Sequence, residues 1–407
     1  MGRRSDSPFL TLPLTPPLYA SGYDMKSIFS RLLRLGTLMT FLCTAVAFAA
    51  ETYPDIPAPI KNGAGARLGH VIYAGLGSAG KAWFSLDLAA AAPTWQRLSD
   101  FPAEARDQSV AAVVDGKIYV FGGAGQLKRA DDTVDTVMFS DVYCYDPASN
   151  QWSRMPTRSP LGLLGSVAVS INGRRVLFFG GVNTAIFNGY FEDIKAAGND
   201  DARKTAVANA YFGKRPQDYL FSTDVLSYTP ADNAWQTLGK VTYPPTAGAA
   251  VAVNGHDVTL INGELKPGLR SYKVNRVTVS DETVRAVTVA DLIAAPGERQ
   301  QEGLAGAFAG YSNGVLLVAG GANFPGAWEQ YRHGQNYAHR GLKKTAHADI
   351  YALVGDEWKR AGSLAEARAY GLSFQLDDGV LLVGGENQQG AAVSSVQLLR
   401  WDGARAH

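Results

Sequence analysis

In the stretch LINGELKPGLR, residues 260–270, a carboxylate, Glu264, is followed closely by a guanidinium, Arg270. A sheltered carboxylate can take a proton from a hydroxyl and return it. A guanidinium offers a planar fork that fits an anionic group and stays charged at every working pH. Together they could do acid–base or binding chemistry, and the near-zero net charge makes a small or neutral target the expectation. Arg106, in ARDQ, and Arg368, in ARAYG, stand at the starts of apolar strands and are further candidates for holding such a ligand. Each also has a plain structural reading: Glu264 as a solvated ion pair with Lys266 or Arg270, and the two arginines as partners for polar strand ends.

Other chemistries lack their signals. G-x-S-x-G and G-x-G-x-x-G each occur once, as GYSNG (310–314) and GLGSAG (75–80), but both lie within the strand repeat with no helical pattern after them, and the chain has no P-loop. His333, His339 and His347 match no zinc spacing. Cys43 falls in an N-terminal apolar run, which leaves Cys144 alone and without an intrachain disulfide partner. No metal or organic cofactor is expected. A formal net charge of +1 supplies no long-range field for a polyanion, so nucleic acid is not an expected partner.

The elements that position these residues come from an internal repeat. DGKIYVFGG (115–123), NGRRVLFFGG (172–181), NGHDVTLING (254–263), NGVLLVAGG (313–321) and DGVLLVGGE (378–386) share an Asx-Gly turn, an apolar strand and a glycine stop, and GHVIYAGLG (69–77) is a divergent sixth. Asx-Gly favours the tight hairpin turn whose positive φ angles match strand twist. Trp95, Trp152, Trp235 and Trp358 each precede the next glycine stop by a nearly constant distance, whereas the distance forward from a glycine pair varies, so insertions follow the glycines. With 44 Gly, 18 Tyr and 17 Phe in 407 residues, the pattern predicts an all-β fold, a six-bladed kelch-type propeller.

In such a blade the inner strand begins, and the second strand ends, on one face of the disk. That face gathers Arg106, Arg368, Glu264, Arg270, Glu386 and two long insertions, NTAIFNGYFEDI from 183 and FPGAWEQYRHGQNYAHRGLKK from 324. These loops are too aromatic for disorder and contribute Asn188, Asn336 and Tyr337 as candidate substrate-binding groups. Upstream, residues 25–50 carry a basic flank, an apolar run and AFAA, the order of a secretory signal peptide. The run is too short to span a membrane. Residues 1–24 read as a mis-assigned N-terminal extension, residues 51–407 as a single propeller, and the periplasm as the destination. The segment from Glu51 to Ile60 is expected to close the ring.

GLGSAGKAWFSLD (75–87), IFNGYFEDI (186–194), INGELKPGLR (261–270), NYAHRGLKK (336–344) and RAYG (368–371) resemble the periplasmic N-acetylneuraminate epimerases, the sialic acid mutarotases. The resemblance runs in order from about Pro57 to about Arg400 and includes both insertions. The long leader and short C-terminus depart from it. It implies that the chain interconverts the anomers of free sialic acid without a cofactor, that Glu264 is the proton acceptor with Arg270 accompanying it, and that the protein is a homodimer. By this reading Arg270, Arg106 or Arg368 holds the substrate carboxylate. Two other functions compete: a sialidase, whose S-x-D-x-G-x-T-W boxes are missing from the sequence, and a non-catalytic kelch module that binds glycan or protein.

Overall fold

The computed structural model describes residues 52–280, 283–295 and 297–407, so the expected signal peptide and N-terminal extension lie outside the described residues. The second strands of the repeat, such as Val315–Ala319 and Lys117–Phe121, are buried along almost their whole length. They read as continuous apolar runs because both faces of each sheet are covered by neighbouring sheets. Each pairs antiparallel with an inner strand before it. Asp115-Gly116, Asn172-Gly173 and Asn313-Gly314 all take positive φ at both turn positions. Asn254-Gly255 does so only at the glycine, and the Asp378-Gly379 hairpin closes through a longer loop without a left-handed residue.

Six of the described sheets follow the repeat, five of four strands and one of three, while a second three-stranded sheet and three two-stranded ones lie outside it. The inner strands of the six are Ala64–Leu68, Val110–Val114, Val167–Ile171, Ala250–Asn254, Phe308–Ser312 and Leu372–Gln375. Apolar clusters fill the space between consecutive sheets, for example Phe121, Cys144, Phe178 and Tyr228 between the second and third. The sixth sheet packs on the first through Phe374, Leu381, Ile72 and Phe84, so the sheets close into a β-propeller. Tryptophans staple the seams. The indoles of Trp152, Trp235 and Trp358 donate to Ser99 O, Thr157 Oγ1 and Ala290 O of the preceding sheet, and Trp95 to Pro54 O.

Closure uses the N-terminal segment, as the sequence predicts. Ile56 N and Ile60 N donate to Ser394 O and Val393 O beside the last sheet, at 3.0 and 3.1 Å. Among the described residues its last strand, Val396–Leu399, has no fourth strand outside it.

At the centre the inner strands are tied by a second ring. Asn62, Gln108, Gly165, Gly248, Gly306 and Tyr370, one at the head of each inner strand, all lie in the left-handed region with φ between 55° and 67°. Main-chain hydrogen bonds of 2.7–2.9 Å run from Gln108 N to Asn62 O, Asn62 N to Tyr370 O, Tyr370 N to Gly306 O, Gly306 N to Gly248 O and Gly248 N to Gly165 O. A side chain costs about 1–3 kcal/mol in this conformation unless its surroundings impose it. At Gly306 a methyl group would also run into the ring and main-chain nitrogen of Tyr370. Gly306→Ala is therefore expected to lower stability by about 1–3 kcal/mol, read as a fall in the thermal unfolding midpoint; an unchanged midpoint would show that the ring tolerates a side chain there.

Candidate active site

The left-handed ring forms the floor of a cavity of about 460 Å³ at the face where the insertions emerge. All six of its residues line it, together with Glu264, Lys344, Glu386 and Tyr211.

Glu264 reaches the cavity because Asn262 and Gly263 both take positive φ and turn the chain out of its sheet. A hairpin follows, Glu264–Lys266 against Leu269–Arg270, with Glu264 directly opposite Arg270. Glu264 is also pinned to the ring, exchanging main-chain hydrogen bonds of 2.7 and 3.0 Å with Ala247, beside Gly248. Its carboxylate meets Arg270 Nη2 at 2.6 Å. The Glu264 side chain is 27% exposed and that of Arg270 only 3%, so the carboxylate faces the cavity and the guanidinium stands behind it.

Arg270 is held from several sides. Nη2 also donates to the Tyr370 hydroxyl at 3.3 Å, Phe324 covers the guanidinium with its ring centroid 4.9 Å away, and Trp328 Nε1 bonds the main-chain oxygen. Burial works against its charge, but Glu264 and Tyr370 outweigh it and hold the guanidinium above its usual pKa. Burial raises the Tyr370 hydroxyl and pushes Tyr211 up to about 12, with Glu264 adding to both. Neither tyrosine ionises near neutral pH, so each can only donate or accept a hydrogen bond.

A second carboxylate stands at the equivalent place on the sixth sheet. Glu386 bridges to Ala369 as Glu264 does to Ala247. It receives Lys61 Nζ at 2.8 Å and also pairs with Lys344.

Arg106 and Arg368, expected to meet ligand at the mouth, are placed by the structure away from the cavity wall. Both are 2% exposed and neither lines the cavity. Arg106 donates to Gly122 O at 3.2 Å and Asp141 Oδ1 at 2.5 Å; Arg368 donates to Gly384 O at 3.2 Å and to Ser395. Each thus satisfies the carbonyl of the first glycine in its own sheet's stop, which is the structural alternative weighed above. Burial lowers Arg368 to about 10.

Asn188, Asn336 and Tyr337 do not line the cavity either. The first insertion is a helical pair, α1 Thr184–Ala196 and α2 Asp201–Phe212, capped by Asn183 and Asp200. Asn-x-x-Ile and Asp-x-x-Arg at these positions are cap signals visible in the sequence. Asn188 accepts from Met138 N at 2.9 Å and so fixes α1 to the neighbouring hairpin. Tyr337 stacks on Phe212 with centroids 5.0 Å apart, joining the two insertions.

Lys266, two residues after Glu264, clamps these insertions. Fully buried, it donates to Phe212 O at 2.8 Å, Lys214 O at 2.5 Å and Asn336 O. Burial lowers it to about 8, and three carbonyl acceptors favour the charged form at neutral pH. His339, lowered by burial to about 4, stays neutral and packs against Phe212, Phe324 and Tyr337. Among the described residues, no group of three or more His, Cys, Asp and Glu is placed to hold a metal ion.

Residues 53–407 match a sequence model of the N-acetylneuraminate epimerase family. An N-acetylneuraminate epimerase of Yersinia enterocolitica is 46% identical over 383 residues, covering 94% of this chain and 97% of the relative. One of Haemophilus influenzae is 44% identical over 373 residues, covering 90% and 98%. The solved structure of YjhT superposes with a TM-score of 0.82 at 39% identity, over 88% of this chain and 99% of that one.

Lys266→Met keeps the length of the side chain and removes its donors. Limited proteolysis is expected to cut α1, α2 and residues 324–344 at least several-fold faster in the variant, with the sheets still resistant. Equal cutting rates would mean that the aromatic contacts alone hold the insertions.

Proposed function

The chain belongs to the N-acetylneuraminate epimerase family, and on that premise we propose that it interconverts the α and β anomers of free N-acetylneuraminate, with Glu264 as the proton acceptor. The observation that carries this reading is the Glu264–Arg270 pair at the cavity wall, with its carboxylate facing the cavity and its guanidinium buried behind it.

The anomeric carbon of this substrate, C2, bears a carboxylate and no hydrogen, so inversion there cannot proceed by C–H abstraction. Glu264 takes the proton of the C2 hydroxyl as the bond from C2 to the ring oxygen breaks. The C2–O bond becomes a carbonyl, and the electron pair released to the ring oxygen is protonated by Glu264 or by water. Rotation about the bond from C2 to C3 presents the other face of the carbonyl. The ring oxygen then adds to C2 and loses its proton, while the carbonyl oxygen regains one. The sequence is redox-neutral and returns every proton it removes.

Arg270 anchors the carboxylate in one orientation, and Tyr370 fixes the guanidinium in turn. Positioning of this kind lowers the reorganisation required at the moment of proton transfer. We also propose export to the periplasm through residues 25–50, and a homodimer; cell fractionation and sedimentation of the mature protein test these.

Freshly released α-N-acetylneuraminate followed by proton NMR is expected to equilibrate faster with wild-type protein. Glu264→Gln should lose about 10²- to 10⁴-fold of that acceleration while keeping its unfolding midpoint. Equilibration at the uncatalysed rate in both proteins would instead leave a non-catalytic kelch binding module.

A further inference from the structure

The family reading leaves open what receives the substrate's own carboxylate. Arg106 and Arg368 are committed to glycine carbonyls within their sheets. Arg270 is walled off: one nitrogen is bound to Glu264 and Tyr370, and Phe324 covers its guanidinium. Its Nε and Nη1 have no acceptor among the described residues, but Arg270 does not line the cavity.

Lys344 is the cationic side chain on the cavity wall. Its side chain is 39% exposed, so it can meet a ligand, and it is oriented from two directions. Glu386, only 8% exposed, pairs with its ammonium, and the ring of Tyr370 lies beneath it with the centroid 5.4 Å from Nζ. Glu386 also takes Lys61, so one buried carboxylate is shared by two ammonium groups. Lys61 is further occupied by Gly390 O at 2.6 Å and lies near enough to Asp107 to bear on its charge. Lys344 has Glu386 and the face of Tyr370, which leaves ammonium donors for a second anion.

Tyr370 connects the two charged pairs. Its hydroxyl meets Arg270, which holds Glu264, while its ring faces Lys344. The substrate carries its carboxylate and the hydroxyl that loses a proton on the same carbon. Receptor and base must therefore share one cavity, and Lys344 and Glu264 both line it, with Tyr370 touching Lys344 through its ring and Arg270, the partner of Glu264, through its hydroxyl.

We propose that Lys344, oriented by Glu386, is the receptor for the carboxylate of the sugar acid, and that Arg270 acts through Glu264 as a positioning residue. This rests on the epimerase reading and adds the subsite that selects an acidic sugar. A lysine here makes a point contact with the carboxylate while the C2 substituents exchange places during ring opening, where a bidentate fork would fix one arrangement.

The test separates this subsite from the activity. The methyl glycoside of N-acetylneuraminate cannot open its ring, and its carboxylate can be masked as the methyl ester. Calorimetric titration is expected to show wild-type protein preferring the acid to the ester by about tenfold or more. Lys344→Met should lose that preference, and Lys344→Arg should restore most of it. In the NMR assay Lys344→Met should raise KM with a smaller change in kcat. Wild-type turnover combined with an undiminished acid preference in Lys344→Met overturns the receptor and leaves the epimerase standing. Wild-type protein that fails to speed equilibration removes the epimerase reading and the subsite with it.

Discussion

Everything at the working face depends on a ring of left-handed residues joined through their main chains. Six inner strands must converge on one axis, and their heads are held together by backbone hydrogen bonds that a side chain at Gly306 would obstruct. At Gly165, Gly248 and Gly306 the requirement is met by glycine; at Asn62, Gln108 and Tyr370 it is met by residues forced into the same conformation. These last three are neighbours round the ring, on the first, second and sixth sheets. Half of the cavity floor is thus bare backbone, and the other half presents an amide, another amide and a phenol. Strain of this kind persists where the surrounding structure over-determines it and where the side chain so placed has work to do.

The charged groups are arranged in nested pairs. Glu264 and Glu386 occupy the same register just after a sheet's glycine stop, yet their partners differ. Behind Glu264 stands a single buried guanidinium; Glu386 is itself the buried member, serving two half-exposed ammonium groups. One pair offers a carboxylate to the cavity and the other offers a cation. A repeat fold makes this economical, because one geometric position holds a glutamate twice with different cationic partners.

The insertions supply Lys344 to the cavity and also hold the site in place. Lys266 binds three carbonyls from the two insertions, and Phe212, His339, Tyr337 and Phe324 pack against one another in a single aromatic cluster. Removing a buried cation from such a clasp leaves carbonyls without donors, so the cost falls on the position of the hairpin that carries Glu264 and Arg270.

The amino-acid sequence by itself determined the repeat, the turn at most Asx-Gly sites, the place of the insertions and the face on which Glu264, Arg270 and Glu386 gather. These are local or periodic properties: a glycine stop, an apolar run and a hairpin of a few residues are written within short windows. The helices within the insertions, including the pair capped by Asn183 and Asp200, are not expected from the strand repeat. Only the tertiary structure decided which cations are free. Arg106 and Arg368 look identical in sequence to ligand-binding arginines, and what commits them is a glycine carbonyl at the far end of a hairpin. Lys61 and Lys344 are far apart in the chain and from Glu386 on the sequence scale, and they converge on it because the ring closes. Charge pairing across a closed ring depends on which strand heads become neighbours, and no local pattern encodes that distance.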